Sequence, residues 1–124
     1  QAVKWWRLAA EQGDADAQYN LALMYANGRG VPEDDKQAVK WWRLAADQGH
    51  VKAQYNLGWM YANGEGVPEE DVLAYMWINL AGANGKDVSK AKEFLVQEMT
   101  KADISKAQEL TRQYIKDNPA VFSE

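Results

Sequence analysis

Apolar residues recur along this chain at three- and four-residue spacing, and the pattern is written more than once. In residues 16–28, DAQYNLALMYANG, the positions Ala17, Leu21, Met24 and Tyr25 fall on one face of a helix. Asn27-Gly28 ends that helix, because Asn and Gly tolerate the left-handed conformation at a helix C-terminus. Pro32 suits a first helical turn, and Glu33, Asp34 and Asp35 complement the helix dipole there. The second helix turns Ala38, Trp42, Ala45 and Ala46 inward until Gly49 breaks it. Followed to its end, the pattern predicts seven helices, over 1–12, 15–27, 33–48, 51–63, 69–84, 88–100 and 104–117, and no strand.

The stretch QAVKWWRLAA at 1–10 returns letter for letter at 37–46. A shift of 36 positions pairs residues 1–36 with 37–72, and 27 of the 36 pairs are identical. A stacked array needs such copies, because each unit buries the same face against its neighbour. A diverged copy begins at Leu73, where Ala74, Trp77, Leu80 and Ala81 answer Ala38, Trp41, Leu44 and Ala45. The register then slips by two, with Ala91 and Leu95 answering Ala53 and Leu57.

The chain thus reads as one repeat domain over 1–124. Residues 1–12 are a second helix without its first-helix partner, and units follow over 15–48, 51–84 and 88–117. Small alanines opposite large tryptophans are what close helix packing needs. Trp5, Trp6, Trp41, Trp42 and Trp77 therefore read as packing, with Trp42 aimed within its unit and Trp41 toward the adjoining one. The last helix, with Ile104, Ala107, Leu110 and Ile115 on one side and charged residues on the other, has the make-up of a cap.

Residues 53–82, AQYNLGWMYANGEGVPEEDVLAYMWINLAG, closely resemble a Sel-one-like repeat, a relative of the tetratricopeptide repeat. The resemblance is carried by Leu57-Gly58, Met60-Tyr61, the Gly64/Gly66 loop, Val67-Pro68 and Ala81-Gly82. Residues 17–46 form a second copy that departs at Ala22, where Gly is usual. The resemblance implies an all-α, right-handed α/α solenoid of period 36 with a C-terminal capping helix. It also implies a concave face, lined by the first helix of each unit, that binds a peptide or protein.

Carried onto this chain, those positions are Asp16, Tyr19, Asn20, Leu23 and Asn27 in one unit and Lys52, Tyr55, Asn56, Trp59 and Asn63 in the next. The last unit contributes Lys90, Glu93, Gln97 and Lys101. Tyr55 and Trp59 lie four residues apart, off the Leu57/Tyr61 stripe, and are the expected aromatic anchors. Asn20 and Asn56 can pair with a peptide backbone. No Lys precedes either Asn by one residue, so the carboxylate clamp of tetratricopeptide proteins is incomplete.

Composition narrows the function. The 124 residues are 47% hydrophobic, enough for one core, and the formal charge of −4 argues against a nucleic-acid module. No run approaches the roughly 18 apolar residues of a membrane span. Without cysteine there is no disulfide and no thiolate metal site. The single His50 cannot build a metal cluster and reads as a solvated helix-start residue. GRGVP and GEGVP lack the Gly-Lys-Ser/Thr that would make a phosphate loop. The acidic runs PEDD and PEEDV do not alternate as calcium ligands do, and Ser89, Ser105 and Ser123 have no His–carboxylate companions.

The expectation is a non-catalytic interaction scaffold with a protein or peptide partner, no cofactor or metal, no nucleic acid and no membrane insertion. The alternatives are a spacer segment of a longer repeat protein, or a cell-wall or β-lactam hydrolase like the cysteine-rich relatives whose cysteines this chain lacks. Beginning inside a unit, the chain reads as part of something longer, with self-association expected through the N-terminal end at Trp5 and Trp6. The resemblance points to a bacterial protein, periplasmic or secreted.

Overall fold

The computed structural model describes residues 2–122, and Gln1 of the first expected helix and Ser123 lie outside them. Among the described residues there are helices and no strand. They are α1 (Ala2–Glu11), α2 (Ala15–Asn27), α3 (Asp35–Asp47), α4 (Val51–Asn63), α5 (Asp71–Ala83), α6 (Ser89–Val96), α7 (Lys101–Asp117) and α8 (Pro119–Phe122). Where seven were expected there are eight, α8 being a single turn after Asn118.

Caps decide the boundaries. α2 begins where the Asp14 carboxylate accepts from the Ala17 N–H, and α4 begins where His50 accepts from the Ala53 N–H. Both end on a left-handed glycine, Gly28 at φ 66° and Gly64 at φ 67°. α3 starts two residues later than expected, because Asp34 is its N-cap and accepts from Lys36 and Gln37 at 3.1 and 3.2 Å. α5 also starts two residues late, at Asp71, after Glu70, which makes no side-chain cap bond, so Pro32 and Pro68 lie outside the helices. α6 stops at Val96, and α7 opens at Lys101 behind a capping box of Thr100 and Asp103.

The helices stack in chain order. α2 packs on α3 and α4 on α5, α1 meets α2 and α3 meets α4 across the seams, and α5 carries both α6 and α7. Close approach is set by missing side chains. A Cβ on Gly58 would stand 2.8 Å from Ile78 Cδ1, which lets α4 and α5 touch. A Cβ on Gly66 would stand 2.5 Å from the Asp35 carbonyl oxygen, so this loop lies directly on the start of α3.

Between units runs a buried polar bridge, made twice. Gln18 donates to the Ala10 carbonyl at 3.1 Å and accepts from Gln48 at 2.8 Å. Gln54 does the same with the Ala46 carbonyl at 3.1 Å and Asn84 at 3.3 Å.

Trp41, Trp42 and Trp77 are buried, as packing residues should be, and Trp6 is half-buried. Trp5 departs from the packing expectation and is 72% exposed, in keeping with the bare flank expected at this end, whereas its counterpart Trp41 on α3 is covered. α7 closes the stack with Ala107 and Thr111 buried and Ile104, Leu110, Tyr114 and Ile115 half-buried. The Tyr114 ring meets the edge of Trp77 at 5.4 Å, and its hydroxyl donates to Asp47 at 2.6 Å. α8 reaches back to the α3–α4 turn, where a Cβ on Gly49 would stand 2.8 Å from Val121 Cγ1. No helix among the described residues is long and apolar enough to cross a membrane.

Candidate interaction surface

α4 has two sides. Ala53, Gln54, Leu57, Gly58 and Met60 are buried, while Lys52 and Asn63 are exposed and Tyr55, Asn56 and Trp59 are half-buried along the open side. Tyr55 and Trp59 make an edge-on pair at 6.2 Å. Trp59 in turn meets Phe94 of α6 at 5.7 Å, and Phe94 is 60% exposed. At the other end the Lys86 ammonium lies 4.5 Å above the Tyr55 ring. Lys86, Tyr55, Trp59 and Phe94 thus form a ladder running from α4 to α6. Glu93 and Gln97 flank Phe94 and are exposed.

Phe94 was absent from the sequence-derived site. Its signal is there, an aromatic in KEFLV immediately after Glu93, but the two-residue slip in register hides its meeting with Trp59. Asn56 makes no side-chain hydrogen bond among the described residues, so its amide is available to a ligand.

The corresponding residues of α2 are used differently. Tyr19 stacks on His50 at 4.6 Å and lies 6.5 Å from Trp42, which places it in the seam between units. Asn20 donates to the carbonyl of Asp16 at 3.0 Å, so its amide N–H is engaged within its own helix. His50 is not the solvated residue expected: its side chain is only 14% exposed. Its Nδ1 accepts from Ala53 N–H at 3.2 Å, which assigns the ring proton to Nε2, 3.1 Å from Asp16 Oδ1.

Two open clefts mark this side of the molecule. One, of about 840 Å³, lies between α1 and α2 and is lined by Val3, Lys4, Leu23, Asn27 and Arg29, with Asn20 at its edge. The other, of about 610 Å³, joins Trp6, Tyr19, Asn20, His50 and Lys52 between α2 and α4. The expected site residues therefore divide into an α2 set, with Tyr19 packed in the seam and Asn20, Leu23 and Asn27 lining a cleft toward α1, and an open, aromatic set on α4 and α6, with Lys52 between them.

Among the described residues no three His, Asp or Glu side chains come together as a metal site. Ser89 Oγ donates to Asp87 at 2.7 Å in the turn before α6. The Asp87 carboxyl is held below its ordinary range by that bond, by the Ser89 N–H and by the nearby Lys86.

The profile of the Sel1 repeat matches residues 1–14, 15–50 and 51–86. A protective antigen of uropathogenic Escherichia coli strains, which displays an SLR fold, is 34% identical and superposes with a TM-score of 0.91. That match covers 98% of this chain and 27% of the antigen, so the chain spans about a quarter of the antigen's length. A Sel1 repeat protein from Oxalobacter formigenes is 43% identical over 77% of this chain and 70% of its own, with a TM-score of 0.70. No curated protein matches the chain.

Proposed function

Because this chain belongs to the Sel1 repeat family, we propose that it works as a non-catalytic scaffold that holds a protein or peptide along the open side of its first helices. The observation that carries this reading is the aromatic ladder of Tyr55, Trp59 and Phe94, which ends in an aromatic left largely in water. An exposed ring backed by two further rings is a rigid apolar platform, and such aromatics supply most of the energy at interfaces. Asn56 beside it offers both an amide donor and an acceptor to an extended backbone. On α2, Tyr19 serves this surface by filling the seam beneath it, and Asn20, Leu23 and Asn27 extend it toward α1.

The test is selection of displayed peptides on the intact chain, followed by titration calorimetry of the winners against the chain and against Trp59→Ala. Loss of the indole should weaken them about thirtyfold, on the order of 2 kcal/mol. Asn56→Ala should weaken them less, since it removes amide contacts and little apolar area. Winners that bind Trp59→Ala as well as the parent would place the interface on another surface.

A further inference from the structure

The two near-identical copies, residues 1–36 and 37–72, differ at nine pairs of positions. Three of these pairs bear on the open side: Asp14 against His50, Asp16 against Lys52, and Leu23 against Trp59. In the first copy Asp16 is paired with His50, whose ring covers Tyr19. In the second copy Lys52 replaces that acid. Lys86, 36 residues on from His50, sits over Tyr55 as His50 sits over Tyr19. From one copy to the next the charge at this end of the first helix changes sign, and the side chain two turns along grows from Leu to Trp.

A third lysine completes the pattern. Lys90 stands four residues before Phe94, on the same face of α6. Lys52, Lys86 and Lys90 are all exposed, and none is within ion-pair distance of a carboxylate among the described residues. None of the neighbouring acids closes an ion pair with them: Asp87, beside Lys86, is bonded to Ser89, Asp16 lies against His50, and Glu93, next to Phe94, is exposed three residues after Lys90. In a chain with a net charge of −4, three exposed lysines outside any ion pair along one aromatic platform are a local concentration of positive charge.

We propose that the partner segment is acidic, with carboxylates opposite Lys52, Lys86 and Lys90 and an aromatic or aliphatic residue lying on Trp59 and Phe94. This rests on the reading of the α4–α6 side as the binding surface and adds the chemistry of what binds there. Exposed ion pairs are individually weak, so the lysines select the sign of the partner and speed its approach, while the rings hold it. A basic segment would set like charges against one another at the same place.

Two fluorescein-labelled peptides test it, identical in their Phe and Leu positions and carrying Glu or Lys at all others. Fluorescence polarisation at low salt compares the parent chain, Lys52→Glu/Lys90→Glu and Trp59→Ala, with circular dichroism confirming that each is folded. Lys86 is left in place so that Tyr55 keeps its packing. The Glu peptide should bind the parent about tenfold more tightly than the Lys peptide, with the preference reversed in the double variant. It should lose affinity as salt is added, and Trp59→Ala should lose both peptides. Equal or tighter binding of the Lys peptide to the parent, still abolished by Trp59→Ala, overturns the acidic partner and leaves the surface standing. Binding of the Glu peptide that Trp59→Ala does not weaken, or no binding of either peptide, overturns both.

Discussion

Gln54 is polar, fully buried and bonded on both sides, which makes it the residue that most clearly joins one unit to the next. Its amide adds a second donor to the Ala46 carbonyl, which also accepts from the Gly49 N–H, while its oxygen accepts from Asn84 at the end of α5. Gln54→Ala should therefore cost about 1–3 kcal/mol in urea unfolding, since it removes both buried bonds and leaves the Ala46 carbonyl with the Gly49 N–H alone. Unchanged stability would mean that the bridge contributes nothing to the seam. The repeated AQYN holds both glutamines in plain sight, yet a polar residue beside an apolar stripe reads as solvent-facing. Only the fold shows that a carbonyl eight residues earlier lies within reach.

Tyr114 makes a second residue-scale test. Burial, the hydrogen bond to Asp47 and the charge of that carboxylate push its pKa well above the ordinary value of 10.0, with Arg43 opposing. A raised phenol pKa means that the folded chain keeps the proton longer than the unfolded one. The resulting stability is present below pH 10 and is lost as pH rises above it. The parent should accordingly lose more stability than Tyr114→Phe between about pH 9 and about pH 11 in urea unfolding. Equal losses would remove the Asp47 contact from the account.

Helix existence was legible in the sequence and helix ends were less so. The 3.6-residue period placed α2 and α4 on their bounds, because left-handed glycines stop both and a polar cap starts each. At α3 the proline suggested a start at Glu33, but Asp34 competes for the N-cap and wins by binding two free N–H groups. At α7 the box is closed by Asp103, shorter than the usual Glu or Gln, and so it escaped notice in the sequence. Thr100→Ala should cost about 1 kcal/mol in urea unfolding, and no change would mean that α7 starts without its cap. Tight contact between α2 and α3 or α4 and α5 leaves no room for larger side chains. Ala45→Leu, at a fully buried position, should destabilise the stack by about 1–3 kcal/mol, whereas a neutral result would put α3 in the wrong register.

At the scale of the whole molecule, the stack couples each unit mainly to its neighbour, and α7 with α8 straps the last unit back onto the one before it. That arrangement leaves Lys52, Asn63 and Phe94 exposed on the open sides of α4 and α6, while Tyr55 and Trp59 beside them are held by partial packing against the core. The α4 half of the candidate surface could be carried over position by position from the repeat pattern. The α6 half could not, because the register slip concealed both Phe94 and its contact with Trp59. The α2 residues looked equivalent in sequence but lie differently, since His50 stands where Lys86 stands in the next unit and covers Tyr19.

The central claim is that a ligand seats on the side of the molecule that holds Trp59. The six tryptophans, spread over α1, α3, α4 and α5, each carry an indole N–H that can be followed separately in a proton–nitrogen correlation spectrum. On titration with a selected peptide, the Trp59 indole should shift while those of the buried Trp41, Trp42 and Trp77 stay where they are. A spectrum in which the exposed Trp5 indole moves and Trp59 does not would contradict the claim and put the partner on α1.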